Sequence, residues 1–204
     1  YHNESVHETT QYRLQRSLAM DPQSQELLTG HLLRAGDWRY PGLVIGPGLS
    51  PWIQHLAGLD PLYLADVSED LLAPVLGSFG PEYRNRVRPY IVCESQTQGL
   101  LSTLPQGQMS WVFAWNFFNY RPIEVLYQYL LEIKKLMRPG GSFMFTFNDC
   151  DRAHGVALVE QNNYQCYTPG RTVIQLANAL GWQVRERHQG VNDCAWLVLT
   201  VPGE

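Results

Sequence analysis

The sequence predicts an α/β protein: a doubly wound, mostly parallel sheet of seven strands with helices on both faces. One antiparallel strand stands near the C-terminus, and a helical extension leads at the N-terminus. Three observations point there. From residue 42 onward, short apolar runs alternate with helical stretches, the rhythm of a parallel sheet with right-handed crossovers. The runs are apolar on both faces, as strands covered by helices on each side must be. The last two runs follow each other with no helix between them, so one strand turns back against its neighbours.

The elements follow in order. In "NESVHETTQYRLQRSLAM", Val6, Tyr12, Leu14 and Leu18 recur at helical intervals. Asp21-Pro22 then restarts the chain as a helix cap with proline at the first helical position. "SQELLTGHLLRAG" sets Leu27, Leu28, Leu32 and Leu33 along one face and stops at Gly36. Residues 1–40 are therefore read as a helical extension or lid, and 41–204 as the main domain. Its first five strands are expected at 42–46, 62–67, 88–93, 109–115 and 141–147. Helices are expected in "SPWIQHLAGL", "SEDLLAPVLGSF", "QTQGLLSTL" and "RPIEVLYQYLLEIKKLM". The last is the clearest, with Ile123, Leu126, Tyr127, Leu130, Ile133 and Leu136 repeating about every 3.6 residues. An irregular stretch, "NDCDRAHGVALVEQNNYQCY", precedes a helix in "RTVIQLANALG". The strands "WQVRERHQ" and "CAWLVLTV" close the chain.

Bulk properties narrow the function. The chain has 204 residues, 45% hydrophobic and 17% charged, with a net charge of -4. That length suits one domain with a sizeable core. The acidity argues against a nucleic-acid binder, since such domains are usually basic. No apolar run reaches the roughly 20 residues that span a bilayer, and no secretory segment opens the sequence. Cys93, Cys150, Cys166 and Cys194 are scattered, the pattern of reduced thiols in a cytoplasmic protein. No metal-ligand spacing is found. The chain starts at Tyr1 rather than Met, so a larger parent polypeptide or a protein partner is held open.

The stretch "PGLVIGPGLSPW" is the first chemical signal. Two glycines, Gly46 and Gly48, flank Pro47 just where a buried strand ends and a helix is expected. In open α/β sheets ligands sit beyond the carboxyl ends of the strands, where strand order reverses. Glycines there let backbone N–H groups approach a ligand closely. Twenty residues later Asp66 ends the second strand in "LYLADVS", placed to accept both hydroxyl hydrogens of a ribose. Its alternative duty, capping the next helix, can be met by Ser68.

"LVIGPGLS", "LYLADVSEDLL" and "MSWVFAWNFFNYRPIEVLYQYLLEIKKLMRPGGSFMFTF" together resemble the class I S-adenosylmethionine-dependent methyltransferases. The likeness runs from Pro41 to Phe147, with "KLMRPGGSF" matching the family's L-x-P-G-G before the fifth strand. The resemblance implies S-adenosyl-L-methionine as cofactor. It places the methionine part over Gly46, Pro47, Gly48, Leu49 and Ser50, and the ribose at Asp66 beside Val67. The adenine falls to Glu94 and Ser95, with Trp115 closing the site. Two positions depart from the pattern: Val44 or Ile45 stands where the family carries an acid, and Ser50 replaces the third glycine. A non-catalytic cofactor binder or scaffold therefore stays open beside the enzyme.

Methyl transfer needs an aligned acceptor more than elaborate chemistry. The acceptor pocket is expected beyond the fourth and fifth strands. Asn116 is the polar candidate there, or else an amide capping its own loop. Phe118 and its aromatic neighbours either meet the acceptor or fill the core. Asn148, Asp149 and His154 cluster after the fifth strand, with His154 the candidate base or a surface residue. Tyr164 and Tyr167 either close over the acceptor or pin their loop. The N/D-P-P-Y/F signature of enzymes acting on amines of DNA bases is missing, which disfavours a nucleic-acid methyltransferase. The expected acceptor is a small molecule or a peptide side chain. Arginines in "YRNRVRPY" precede the third strand and fall at the opposite edge of the sheet.

Overall fold

A computed structural model describes residues 11, 15, 19–48, 50–93, 99–161, 165–190 and 195–203. Its centre is a sheet of strands β1 (Gly42–Ile45), β2 (Leu62–Asp66), β3 (Val87–Ile91), β4 (Met109–Ala114), β5 (Met137–Thr146), β6 (Gln183–Gln189) and β7 (Ala195–Thr200). The spatial order is β3-β2-β1-β4-β5-β7-β6. β7 runs antiparallel to both its neighbours, β5 and β6, and every other pairing is parallel. The doubly wound sheet with one reversed strand is the architecture that the alternating pattern predicts.

Five helices of eight residues or more cover it among the described residues: α1 (Pro22–Ala35), α2 (Glu69–Ser78), α3 (Ile123–Leu136), α4 (Ala153–Glu160) and α5 (Gly170–Ala179). Alternation along the strands divides the core in two. Val112 and Ala114 of β4 join Leu126, Tyr129, Leu130 and Ile133 of α3 and Val173 of α5 on one face. Trp111 and Phe113 turn to the other face, where Leu28 and Leu32 of α1 meet Leu72 and Val75 of α2. Helix α1 thus shares a core with the sheet. Its start is fixed as expected: the Asp21 carboxylate accepts from the Ser24 backbone N–H at 2.9 Å, with Pro22 at the first turn. Hydrogen bonding by the Ser24 side chain, and then by its backbone N–H, holds the Asp21 carboxyl below its usual range.

Three local expectations change. Residues 50–59 make only a 3-10 turn, Ile53–Leu56, because Pro51 and Gly58 leave too short a run. The bonds there are i→i+3, such as His55 N–H to Trp52 O at 3.1 Å. The stretch read as irregular after β5 contains α4; its interior Gly155 and mixed apolar pattern hide it in the sequence. Gly155 is needed because a side chain there would strike the Asp149 carbonyl. β5 begins four residues early, taking in Met137 to Gly140 through an irregular register with Met109. The helix expected in "QTQGLLSTL" falls partly outside the described residues, and from Leu100 to Thr103 the chain makes turns. Most of the first predicted helix and Cys194 also lie outside them. No helix of the described residues is long and apolar enough to cross a membrane.

Candidate active site at the strand-order reversal

Strand order reverses between β1 and β4, so the crevice lies at the carboxyl ends of β1, β2 and β4. Gly46 leaves β1 with φ 61° and Gly48 follows with φ 51°, both in the left-handed region that side-chain-bearing residues avoid. The Gly46 N–H extends the ladder to Ala65 O at 2.8 Å. Pro47 sits between the glycines, and its carbonyl accepts from Ser50 N–H at 3.2 Å, closing the turn. A Cβ on Gly46 would fall onto the ring of Phe117. The loop is therefore glycine for two reasons, conformation and close approach.

Asp66 ends β2 with only 1% of its surface exposed. Its Oδ1 accepts from the Val67 N–H at 2.8 Å. Ser68, not Asp66, caps α2 by accepting from the Asp70 N–H at 3.2 Å. Val67 and Ile91, 39% and 44% exposed, stand at the ends of β2 and β3. Leu49, Glu94 and Ser95 lie outside the described residues.

The loop after β4 departs most from a simple pocket wall. Trp115 is buried among Phe113, Trp52 and Trp196, with ring centroids 5.9, 6.4 and 5.8 Å away. Its indole N–H, that of Trp52 and the Ser50 hydroxyl are buried without a hydrogen-bond partner. Asn116 stands at φ 52°, the one non-glycine residue in that region among those described. Its N–H donates to Thr146 Oγ1 at 2.7 Å, and that hydroxyl donates to Asn119 Oδ1 at 2.9 Å. Cys166 N–H reaches Asn119 O at 2.8 Å. A buried polar thread thus ties the ends of β4 and β5 to the loop before α5. Phe118 turns into the core, edge-on to Tyr129 and Phe145 at 5.3 and 5.7 Å, with no face left for an acceptor.

Asn148 and Asp149 follow β5, and their polar atoms hold the fold together. Asp149 Oδ1 accepts from the N–H groups of Gly170 and Asp151 at 3.0 and 3.1 Å. Its Oδ2 accepts from Arg187 Nη2 at 2.7 Å and Gln189 Nε2 at 3.2 Å. Asn148 Nδ2 donates to the carbonyls of Gly155 and Cys166 at 3.0 and 3.1 Å; its Oδ1 is buried without a partner. His154 is exposed in the first turn of α4, and Tyr167 is 58% exposed. Tyr164 lies outside the described residues. Burial raises the thiol pKa values of Cys150 and Cys166, so neither is an activated nucleophile.

Two residues enter that the sequence reading passes over. Arg121 donates to Phe117 O at 3.2 Å and lays its guanidinium 3.5 Å from the Phe117 ring centroid. Gln165 is 5% exposed, and both polar atoms of its amide are buried without partners. Arg121 announces itself as the single cation after the run Phe117 to Tyr120; Gln165 leaves no signal in sequence. Among the described residues no group of His, Cys, Asp and Glu could hold a metal ion.

No protein-family model matches the chain, and no curated protein matches it. Solved structures do. A SAM-dependent methyltransferase from Aquifex aeolicus superposes with TM-score 0.63 at 13% identity, covering 98% of this chain and 99% of that one. The N-methyltransferase NodS from Bradyrhizobium japonicum WM9, solved with S-adenosyl-L-homocysteine, gives 0.64 at 18% identity over 95% and 98%. A chain of the structure described as the "Complex between the Haloferax volcanii Trm112 methyltransferase activator and the putative methyltransferase" gives 0.67 at 13% identity over 89% and 92%. The chain has the class I methyltransferase fold.

Proposed function

We propose that this protein is an S-adenosylmethionine-dependent methyltransferase acting on a small molecule or a peptide side chain. One observation carries the reading: two left-handed glycines and a buried carboxylate converge at the carboxyl ends of β1 and β2, beside the strand-order reversal. Fold alone would not license a function; these residues at this place do. Asp66 accepts the ribose hydroxyls, and the bare backbone of Gly46 and Gly48 lies against the cofactor's tail. The orphaned donors beside that loop, the Ser50 hydroxyl and the Trp52 and Trp115 indole N–H groups, suit the polar end of the same tail. Val67, exposed just past the end of β2, packs against the adenine.

The cofactor supplies a methyl group already activated on a sulfonium. The chain's task is to align an acceptor and exclude water. Asn116, locked by its N–H to Thr146, is the residue we place beside the acceptor, with Gln165 and the Asn148 carbonyl oxygen as further polar contacts. His154 takes up an acceptor proton from the rim where one must leave.

A second reading keeps the cofactor and drops the chemistry. Val44, fully apolar in its surroundings, stands where the family's acid would help hold the amino-acid part of the cofactor. Calorimetry with S-adenosylmethionine and S-adenosylhomocysteine is the test. Heat with both is expected from the folded protein; no heat with either removes cofactor binding from the proposal. Transfer of labelled methyl into fractionated extract, with and without nuclease, then separates enzyme from silent binder and small or peptide acceptors from nucleic acid. Cytoplasmic residence belongs to the same proposal, since Cys150 and Cys166 are free thiols among the described residues.

A further inference from the structure

A cavity of about 260 Å³ opens at the edge of the sheet opposite the cofactor crevice, under the last turn of α1 and against the amino ends of β4 and β5. Its lining includes Arg34, Arg138, Trp111, Ser110 and Ser142. Trp111 lies about 13 Å along β4 from Trp115 at some 3.3 Å per residue, so the cavity is no annex of the methyl-transfer site.

The charges there do not cancel. Asp37 lines the cavity too, but Arg39 clasps both its oxygens at 3.0 and 2.8 Å. Those bonds hold the Asp37 carboxyl at about 2, ionised and matched. His31 is engaged with Glu186 at 2.9 Å. Against the one carboxylate of Glu186, whose partner His31 is charged only when protonated, stand two guanidiniums of the lining, Arg34 and Arg138. Arg138 stacks on Tyr40 with its carbon 4.0 Å from the ring centroid. Stacking occupies the face of a guanidinium and leaves its N–H edge for an anion. Arg34 touches only His31 among the described residues, at 3.4 Å. The carbonyls of the last turn of α1 carry about half a negative charge, less than two full positive ones. A neutral donor joins them: the Trp111 indole N–H is buried with no acceptor. A buried orphan donor costs about 1–3 kcal/mol and calls for a partner.

We propose that this cavity is a second ligand site, for a small phosphorylated anion. The tetrahedral oxygens of a phosphate suit the two guanidinium forks, with the Trp111 indole as a reporter in the cavity wall. The volume falls just under that of drug-sized ligand pockets, so the ligand is a phosphate monoester with a small organic group.

The test follows the Trp111 indole N–H by nuclear magnetic resonance in the full chain, with Trp111→Phe identifying the resonance. Inorganic phosphate and glycerol 3-phosphate are titrated at constant ionic strength against chloride and succinate. A saturable shift with both phosphates is expected, weakened about tenfold in Arg138→Gln, the size of one lost charged hydrogen bond. Shifts no different from chloride would overturn the site. So would an Arg138→Gln protein that titrates like the unaltered chain. Succinate binding as tightly as phosphate would overturn the phosphate assignment. If Arg138→Gln does not fold, Arg34→Gln is judged by the same criterion. Cofactor affinity is not read in any arm, so failure here leaves the methyltransferase proposal standing.

Discussion

Gly46 answers to two demands that can be measured separately. Its φ of 61° costs an L-residue about 1–2 kcal/mol, and a methyl group there would also press on Phe117, at a further 1–3 kcal/mol for overpacking. Gly140 shares the positive φ, at 74°, but has no atom within reach of an added Cβ. Gly140→Ala is expected to lose about 1–2 kcal/mol in urea unfolding, and Gly46→Ala about 2–5 kcal/mol from the two costs together. Equal losses would mean that Phe117 yields freely. Asp66 makes the complementary prediction on binding. Asp66→Ala should weaken S-adenosylmethionine by about 1–3 kcal/mol, roughly fivefold to a hundredfold, as for a lost charged acceptor; unchanged affinity would take Asp66 out of the ribose site. The left-handed turn at Gly46 and the place of Asp66 at the end of β2 are legible because a backbone demand and a lone acid at a strand end leave marks in the sequence. Phe118 was not legible. Four aromatic residues from Trp115 to Tyr120 say that rings are needed, and only packing decides that Phe118 points into the core while Asn116 takes the strained turn.

At the scale of elements, the segment after β5 shows why site residues and structural residues are hard to separate by eye. Asp149 looked like a pocket acid from its place after a strand. Instead its two oxygens join β5, the start of α5 and β6 through Gly170, Asp151, Arg187 and Gln189. Asp149→Asn should cost about 1.5–3 kcal/mol of stability, the worth of a charged hydrogen bond, and leave cofactor affinity unchanged; calorimetry beside urea unfolding reads both. None of those four contacts is nearby in sequence except Asp151, so no local pattern foretells them. A second junction ties α1 to β6. His188 stacks on Trp196 at 3.7 Å and meets Ser24 Oγ at 2.9 Å. Burial lowers its pKa from the ordinary 6.5, against the pull of Glu186 and Asp21. The native state therefore resists a proton that the unfolded chain accepts. This junction's contribution is complete above pH 6.5 and drains away as pH falls from there to the lower folded pKa. Replacing His188 with Gln should flatten the fall of the urea midpoint across that window relative to the unaltered chain; parallel curves would show that His188 is not the titrating group.

For the molecule as a whole, the alternation of apolar runs was enough to give sheet, direction and reversed strand, because the central strands β1, β4 and β7, buried on both faces, are written as near-continuous apolar segments, while the edge strands β3 and β6 are largely exposed and polar. What periodicity could not decide was where the domain begins. A face of leucines at Leu27, Leu28, Leu32 and Leu33 fits a lid as well as a core layer. In the structure Leu28 and Leu32 are wholly buried against the sheet, while Leu27 and Leu33 are exposed. Burying two leucines contributes about 3–6 kcal/mol, out of a total stability of about 5–15 kcal/mol for a domain of ordinary size. Removing α1 would also uncover Val44, Phe113, Trp196 and Val198, which share its cluster, and break the His31 contact to Glu186. A chain beginning at Pro41 is therefore expected to lose its cooperative unfolding transition and to expose apolar surface to a hydrophobic dye. A helix that were merely a lid would leave the midpoint of that shortened chain where the full chain has it, and such a result would return residues 22–35 to the role of an extension.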